Sequence, residues 1–442
     1  MSDALPLPPR PSLEHYKKRA KELVKLLRSG DREALRAWLT EWVETLAQLH
    51  KLEIALPRQV TAEERRLDIE RTAGRVFKRL DAIDPSSCTL AQAQFAIARE
   101  HGFASWPKFT HHIEGLARSQ SEVSEFEAAV DAIVSGDFES LGALLRTNPQ
   151  LAKARSLREH RSTLLHYVSA NGVEDFRQKT PTNIVEIAKR LLDADADVNA
   201  ESDAYGGRST TLGLTATSYH PEAAGLQIPL MELLIDRGAR LEDADGPCIV
   251  NTCLHNGRGR AAEYLAARGA RLDLEGAGGV GRLDIVQTFF EADGRLKPSA
   301  TFQQMQDGLA WACEFDRTEV VRFLLQADQR SGSRISQSGH DGLHWAAFSA
   351  NPDLVTLLLQ HGTPVDAKDE RHHGTPLEWA LHAWHNPPPD SRPEEYYKVV
   401  ALLVQSGATP DPTWFEAVPN RLGAPNKISS DPRMRAALRG EI

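Results

Sequence analysis

The stretch DGLHWAAFSANPDLVTLLLQHG, Asp341 to Gly362, sets His344 beside Trp345, with an acid three residues earlier and a second histidine, His361, near its end. An imidazole close to a carboxylate is the raw material of general acid–base chemistry, but it needs a second catalytic group in reach. The sequence shows no Ser/His/Asp set, and the histidines read first as scaffold. Other polar side chains that could converge on a pocket are Asn251, His255, Glu275, Glu314 and Asp316. The run GAGGVG, Gly276–Gly281, spells Gly-x-Gly-x-x-Gly. A dinucleotide site needs that run between a strand and a helix of a βαβ unit. Here GVGRLDIVQTFF reads as the end of one helix and the start of the next, so a nucleotide cofactor is not expected. Cys88, Cys248, Cys253 and Cys313 form no Cys-x-x-Cys pair, and His111–His112 are adjacent, which suits a solvated helix face better than one metal ion. No metal and no cofactor are expected. The few cysteines read as reduced, buried thiols.

Bulk properties narrow the classes further. The chain has 442 residues, 41% hydrophobic and 26% charged, with a formal net charge of −9. Residues 1–118 hold 20 Lys/Arg against 16 Asp/Glu, which leaves the remainder at −13. That balance disfavours nucleic acid and gives weak support to a basic partner. No apolar run is long enough to span a bilayer, and MSDALPLPPRPS lacks a signal core, so a cytoplasmic protein of bacterial style, with no membrane partner, is expected. Residues 1–11 read as a flexible Pro-rich tail.

The elements that must position these residues come from a repeat. DGLAWACEFDRTEVVRFLL begins at Asp307, DGLHWAAFSANPDLVTLLL at Asp341 and TPLEWALHAWHN at Thr375, in steps of 34. Each has a short helix rich in small residues, then a leucine-rich helix. STLLHYVSANG (Ser162–Gly172), DADADVNA (Asp193–Ala200), DRGARLED (Asp236–Asp243) and QHGTPVDAKD (Gln360–Asp369) complete the pattern. It resembles the ankyrin repeat family, with a helical leader found on some bacterial members. The fold this implies is mainly α: an ankyrin-repeat solenoid of helix-turn-helix units with short β-hairpins over residues 126–416, preceded by an all-helical capping region over 12–118 and closed by a C-terminal cap at 417–442. The resemblance also implies that His166 and His344 fix helix starts.

Three departures from the pattern carry information. The units at 163, 210 and 375 gain inserts: GVEDFRQKTPT, SYHPEAAGL and HNPPPDSRPEE. The first and last should be exposed loops, and the first two could form one local structure with Phe176, Arg177, Tyr219 and His220. One hairpin is missing near Arg271–Asp273, which would leave a notch flanked by Asn251 and Glu275. Trp311, Trp345 and Trp379 fill one repeat position in three successive units, and Tyr167 fills it earlier, so the tryptophans should form a ladder of aromatic anchors or a widened core. The leading expectation is a protein–protein interaction scaffold that binds a protein or peptide through Tyr167, Trp311, Trp345, Trp379, Asn251, Glu275, Glu314, Arg177 and His220. The alternative is a small-molecule-binding or catalytic protein with its pocket at the notch.

Overall fold

Many helices in this chain begin where a short polar side chain can accept from the first turn. Ser12, Thr89, Ser105, Ser121, Asp137, Thr210, Asp273, Thr301, Asn351, Thr375 and Asp431 all do so, satisfying donors that the helix itself leaves unpaired. The structure is a computed structural model, and it describes residues 4–49, 62–84, 88–172, 174–242, 246, 248–327, 342–369, 372–387, 392–415 and 427–442. It is mainly helical, as an ankyrin-repeat solenoid with a helical front should be. The chain divides into two units, Met1–Leu241 and Glu242–Ile442.

The first unit opens with α1 (Leu13–Ser29), α2 (Arg32–Leu49), α3 (Ala62–Leu80), α4 (Leu90–Glu100) and α5 (Trp106–Leu116) around Tyr16, Trp42, Phe103 and Phe109. The expected free tail is corrected here: Ala4, Leu5 and Leu7 are buried, and the Leu5 N–H donates to the Glu100 carbonyl at 2.7 Å. Two leucines set among prolines have apolar surface to bury and a stiff backbone that loses little entropy on docking. Of the expected solvated His111–His112 face, His111 is exposed, but His112 is corrected, being only 1% exposed.

Then come α6 (Glu122–Ser135) and α7 (Phe138–Thr147), a short 3-10 turn at Leu164–Ser169, and α8 (Ile184–Asp193). Strands β1 (Glu201–Ser202) and β2 (Ser209–Thr210) pair antiparallel, and α9 (Thr211–Thr217), α10 (Tyr219–Ala223) and α11 (Gln227–Asp236) follow.

Among the described residues the second unit stacks five helix pairs: α12 (Ile249–His255) with α13 (Gly259–Ala267), α14 (Leu274–Gly279) with α15 (Leu283–Thr288), α16 (Phe302–Glu314) with α17 (Thr318–Ala327), α18 (Gly342–Phe348) with α19 (Pro352–Gln360), and α20 (Pro376–His385) with α21 (Glu395–Gln405). The first helices of these pairs touch in sequence order, α12 to α14 to α16 to α18 to α20. Helices α22 (Lys427–Ser430) and α23 (Pro432–Leu438) follow, and α23 packs on α21 through a core that includes Met434, Ala437 and Leu438. Helix α16 starts well before Asp307, because Thr301 and Gln304 form a capping box that extends it.

The glycine-rich run has a packing explanation. A Cβ on Gly278 would sit 2.7 Å from the Gly308 carbonyl oxygen and 2.9 Å from its Cα, so α14 and α16 meet backbone to backbone. A Cβ on Gly279 would lie 2.4 Å from Leu254 Cδ1, and one on Gly276 would lie 2.6 Å from Asn251 Oδ1. Glycines at helix positions 276, 278 and 279 are the condition for this approach.

Candidate functional site

The signature histidines act on backbone. The Thr163 N–H donates to His166 Nδ1 at 3.1 Å, so His166 Nε2 donates onward to the Ser209 carbonyl at 3.1 Å. His344 Nε2 lies 3.1 Å from the Ala367 carbonyl and 3.0 Å from that of Gly374. Each ring ties a first helix to the hairpin segment that follows it, and burial lowers His166 to about 4.

On α18 the buried positions are Gly342, Leu343, His344, Ala346 and Ala347. Trp345 and Phe348, three apart, share the remaining face and are half-buried. The Trp345 ring meets Trp379 of α20 edge to face at 5.0 Å, and Phe348 lies 5.8 Å from Trp345 and 6.0 Å from Trp379. The Trp379 indole N–H donates to Asp369 Oδ2 at 3.1 Å, and that carboxylate also accepts the Gly374 N–H. The Trp345 indole N–H has no partner among the described residues.

The expected ladder is broken at Trp311, which turns to His255 (4.9 Å between rings) and donates to Glu275 Oε1 at 3.0 Å. Its i+3 neighbour on α16, Glu314, is half-buried with one buried carboxylate oxygen unpartnered, and burial pushes its pKa up to about 7.

The expected notch is filled. Asn251 Nδ2 donates to both Asp273 oxygens at 3.2 and 3.0 Å and to Glu275 Oε2 at 3.1 Å, while Gln304 reaches Asp273 at 3.2 Å. Asp273 also caps α14. The acids do converge, but on an asparagine amide that stands where a ligand would. Burial, offset in part by the Trp311 bond, raises Glu275 above its ordinary value. Asp316 is likewise a joint: it accepts from Asn351 and, at 2.7 Å, from Arg392 at the end of the last insert. The insert's Ser391 lies outside the described residues.

In the first unit Tyr167 and Arg177 join a buried charge cluster whose other members, Glu127, Arg158, His160 and Glu174, sequence reasoning missed. The 172–182 insert is not a free loop. Glu174, 4% exposed, accepts from His160 Nε2 (2.9 Å), the Tyr167 hydroxyl (2.6 Å) and Arg177 Nη1 (3.0 Å). Arg177 also reaches Glu127 at 2.7 Å and Asp131 at 3.0 Å, and Arg158 reaches Glu127 at 3.0 Å. Burial would raise Glu174 and Glu127, but the two arginines outweigh it and hold Glu174 well below the usual range and Glu127 at about 2. Tyr167 and Arg177, expected to face a partner, are thus spent inside the fold.

Ser162 Oγ lies 2.9 Å from His160 Nδ1, so a serine, a histidine and an acid do line up. Yet Nδ1 also accepts the Ser162 N–H at 3.1 Å, which commits its lone pair to backbone and leaves no base for the hydroxyl. An open cleft of about 330 Å³ beside this cluster is lined by Asn171, Gln178 and the cluster's own residues, among others. His220 is half-buried on α10, edge to face with Tyr219 at 5.8 Å.

Among the described residues no group of metal-ligating side chains gathers, the four cysteines are free and buried, and no helix is long and apolar enough to cross a membrane.

A family model described as ankyrin repeats (3 copies) matches residues 277–369 and 309–413. Among curated proteins, the human 26S proteasome non-ATPase regulatory subunit 10 is 33% identical over 54 residues, which are 12% of this chain and 24% of that protein. The chain therefore spans about a quarter of the length of that relative. The period, the histidine-to-hairpin bonds, the stacked helix pairs and the family match agree that residues 277–413 of this chain are ankyrin repeats.

Proposed function

We propose that the second unit docks a protein or peptide partner on the exposed face of its first helices, with Trp345 and Trp379 as anchors. Ankyrin repeats are a general protein–protein interaction module, and rows of first helices offer extended binding surfaces. The observation that carries the reading is the three-ring cluster of Trp345, Phe348 and Trp379, which packs at the edge of the core yet stays partly exposed. A tryptophan whose N–H is left unpaired has both apolar area and a donor to offer, which is the profile of a binding anchor. Phe348 supports the cluster from the i+3 position of the same helix.

The test is the Trp345→Ala, Trp379→Ala double variant, assayed for folding by circular dichroism and for partner retention by quantitative affinity purification. Loss of the retained proteins by a folded variant supports the reading, and retention of the same set refutes it.

A further inference from the structure

We infer that this face takes a basic segment, in which a Lys or Arg side chain sits against the Trp311–Glu314 end while apolar neighbours pack on Trp345 and Trp379. The inference rests on the docking role proposed above and adds the chemistry of the partner. Its first support is the sign of charge along the row. The first helices α12, α14, α16, α18 and α20 carry Glu275, Asp307, Glu314 and Glu378 and not one Lys or Arg. The second helices behind them are acidic too, with Glu263, Asp284, Glu319, Asp353 and Glu395, but they interleave Arg260, Arg322 and Lys398, so what sets the first-helix row apart is that it lacks any cation.

Glu314 supplies the second support. Trp311 and Glu314 occupy on α16 the positions that Trp345 and Phe348 occupy on α18, 34 residues later, so the carboxylate stands in the column of the aromatic cluster. Among the described residues its buried Oε2 has no donor. The cation nearest in sequence, Arg317, is turned away to Glu263 and to the Gly279 carbonyl, 3.2 Å from its Nε. A carboxylate that has lost water without gaining a donor is stabilised by an incoming ammonium or guanidinium group, and the indole beside it favours a cation over its ring. Complementary charge on a partner would also speed its association.

The experiment pans a phage library of random peptides on the full chain and measures selected peptides by fluorescence anisotropy. The panel is wild type, Glu314→Gln, Trp345→Ala and the control Glu319→Gln, whose side chain is 73% exposed on α17. Thermal melts verify that each variant is folded. Selected peptides should be rich in Lys or Arg. Their affinity should fall about tenfold or more in Glu314→Gln, as expected for a lost charge-assisted bond, fall in Trp345→Ala, and hold in Glu319→Gln. Selection of neutral or acidic peptides that still depend on Trp345 overturns this inference and leaves the docking role standing. Basic peptides equally sensitive to Glu314→Gln and Glu319→Gln reveal only a diffuse field and overturn it too. Peptides indifferent to Trp345→Ala overturn both readings.

Discussion

At the scale of single residues, two positions carry sharp consequences. Gly278 has no room for a methyl group, because the Gly308 backbone already stands where one would go. Gly278→Ala should therefore destabilise the second unit by about 1–3 kcal/mol, the range for overpacking, although alanine is the better helix former. Urea unfolding reads this directly, and a variant as stable as wild type would mean the two helices are free to separate. Glu174 is the second position. Glu174→Gln leaves Arg158 and Arg177 short of a counter-charge inside the fold and should cost on the order of 3–5 kcal/mol, as breaking a buried ion pair does. An unchanged denaturation midpoint would show that water reaches the cluster. Neither residue was legible as important. Gly278 announced itself only as part of a nucleotide-like string, and the true cause, a backbone contact with Gly308 thirty residues on, is invisible locally. Glu174 and Arg177 lie in an insert whose polar composition gave no hint of burial, because their partners Glu127 and Arg158 come from other segments.

Elements were more legible than residues, and for a physical reason. Helix starts depend on local chemistry such as Thr375 with Glu378, which the chain spells out. The histidine in each signature was rightly placed as scaffold, since His166 and His344 both bond to backbone of the next hairpin segment. The position of α16 was misread because a good capping box lay upstream of the repeat boundary. The expected notch closed because Asn251, Asp273, Glu275 and Gln304 bond to one another across it, while the glycines of α14 answer a separate contact, the backbone approach to α16. The tryptophan ladder failed at one rung, since Trp311 found a nearer acceptor in Glu275. The bonds of Glu174 and Arg177 make the 172–182 insert a structural element. Replacing Gly172–Thr182 with a short Gly/Ser link should unfold the neighbouring 3-10 turn and α8, seen as rapid amide exchange there, because Glu174 and Arg177 leave with it. Continued protection of α8 would mean that the cluster is dispensable.

For the molecule as a whole, the buried ionisable groups give the two units opposite responses to pH. In the first unit burial pushes His101 down to about 3, and His112 and His166 to about 4, each from an ordinary value of 6.5. Groups with depressed folded values contribute stability above the unfolded value and lose it as pH falls, so this unit should weaken from about pH 6.5 to pH 4, by roughly 3 kcal/mol for each histidine fully converted. Glu127, at about 2, extends the loss below pH 4.5. In the second unit Glu314 is raised to about 7, so its contribution is present below about pH 4.5 and is lost as pH rises through 7. Amide exchange followed by mass spectrometry from pH 5 to 8, corrected for intrinsic rates, should show the first unit gaining protection with rising pH and α16 losing it. A common trend in both units would contradict these assignments.

The central claim is that the Trp345–Trp379 face of the second unit is the docking surface. Its most direct test compares wild type, the folded Trp345→Ala, Trp379→Ala variant and a first-unit control, Tyr219→Ala, whose ring is 43% exposed, by quantitative affinity purification against the same native lysate. Proteins retained by wild type and by the Tyr219→Ala control should be lost from the double tryptophan variant. Equal retention by all three would contradict it.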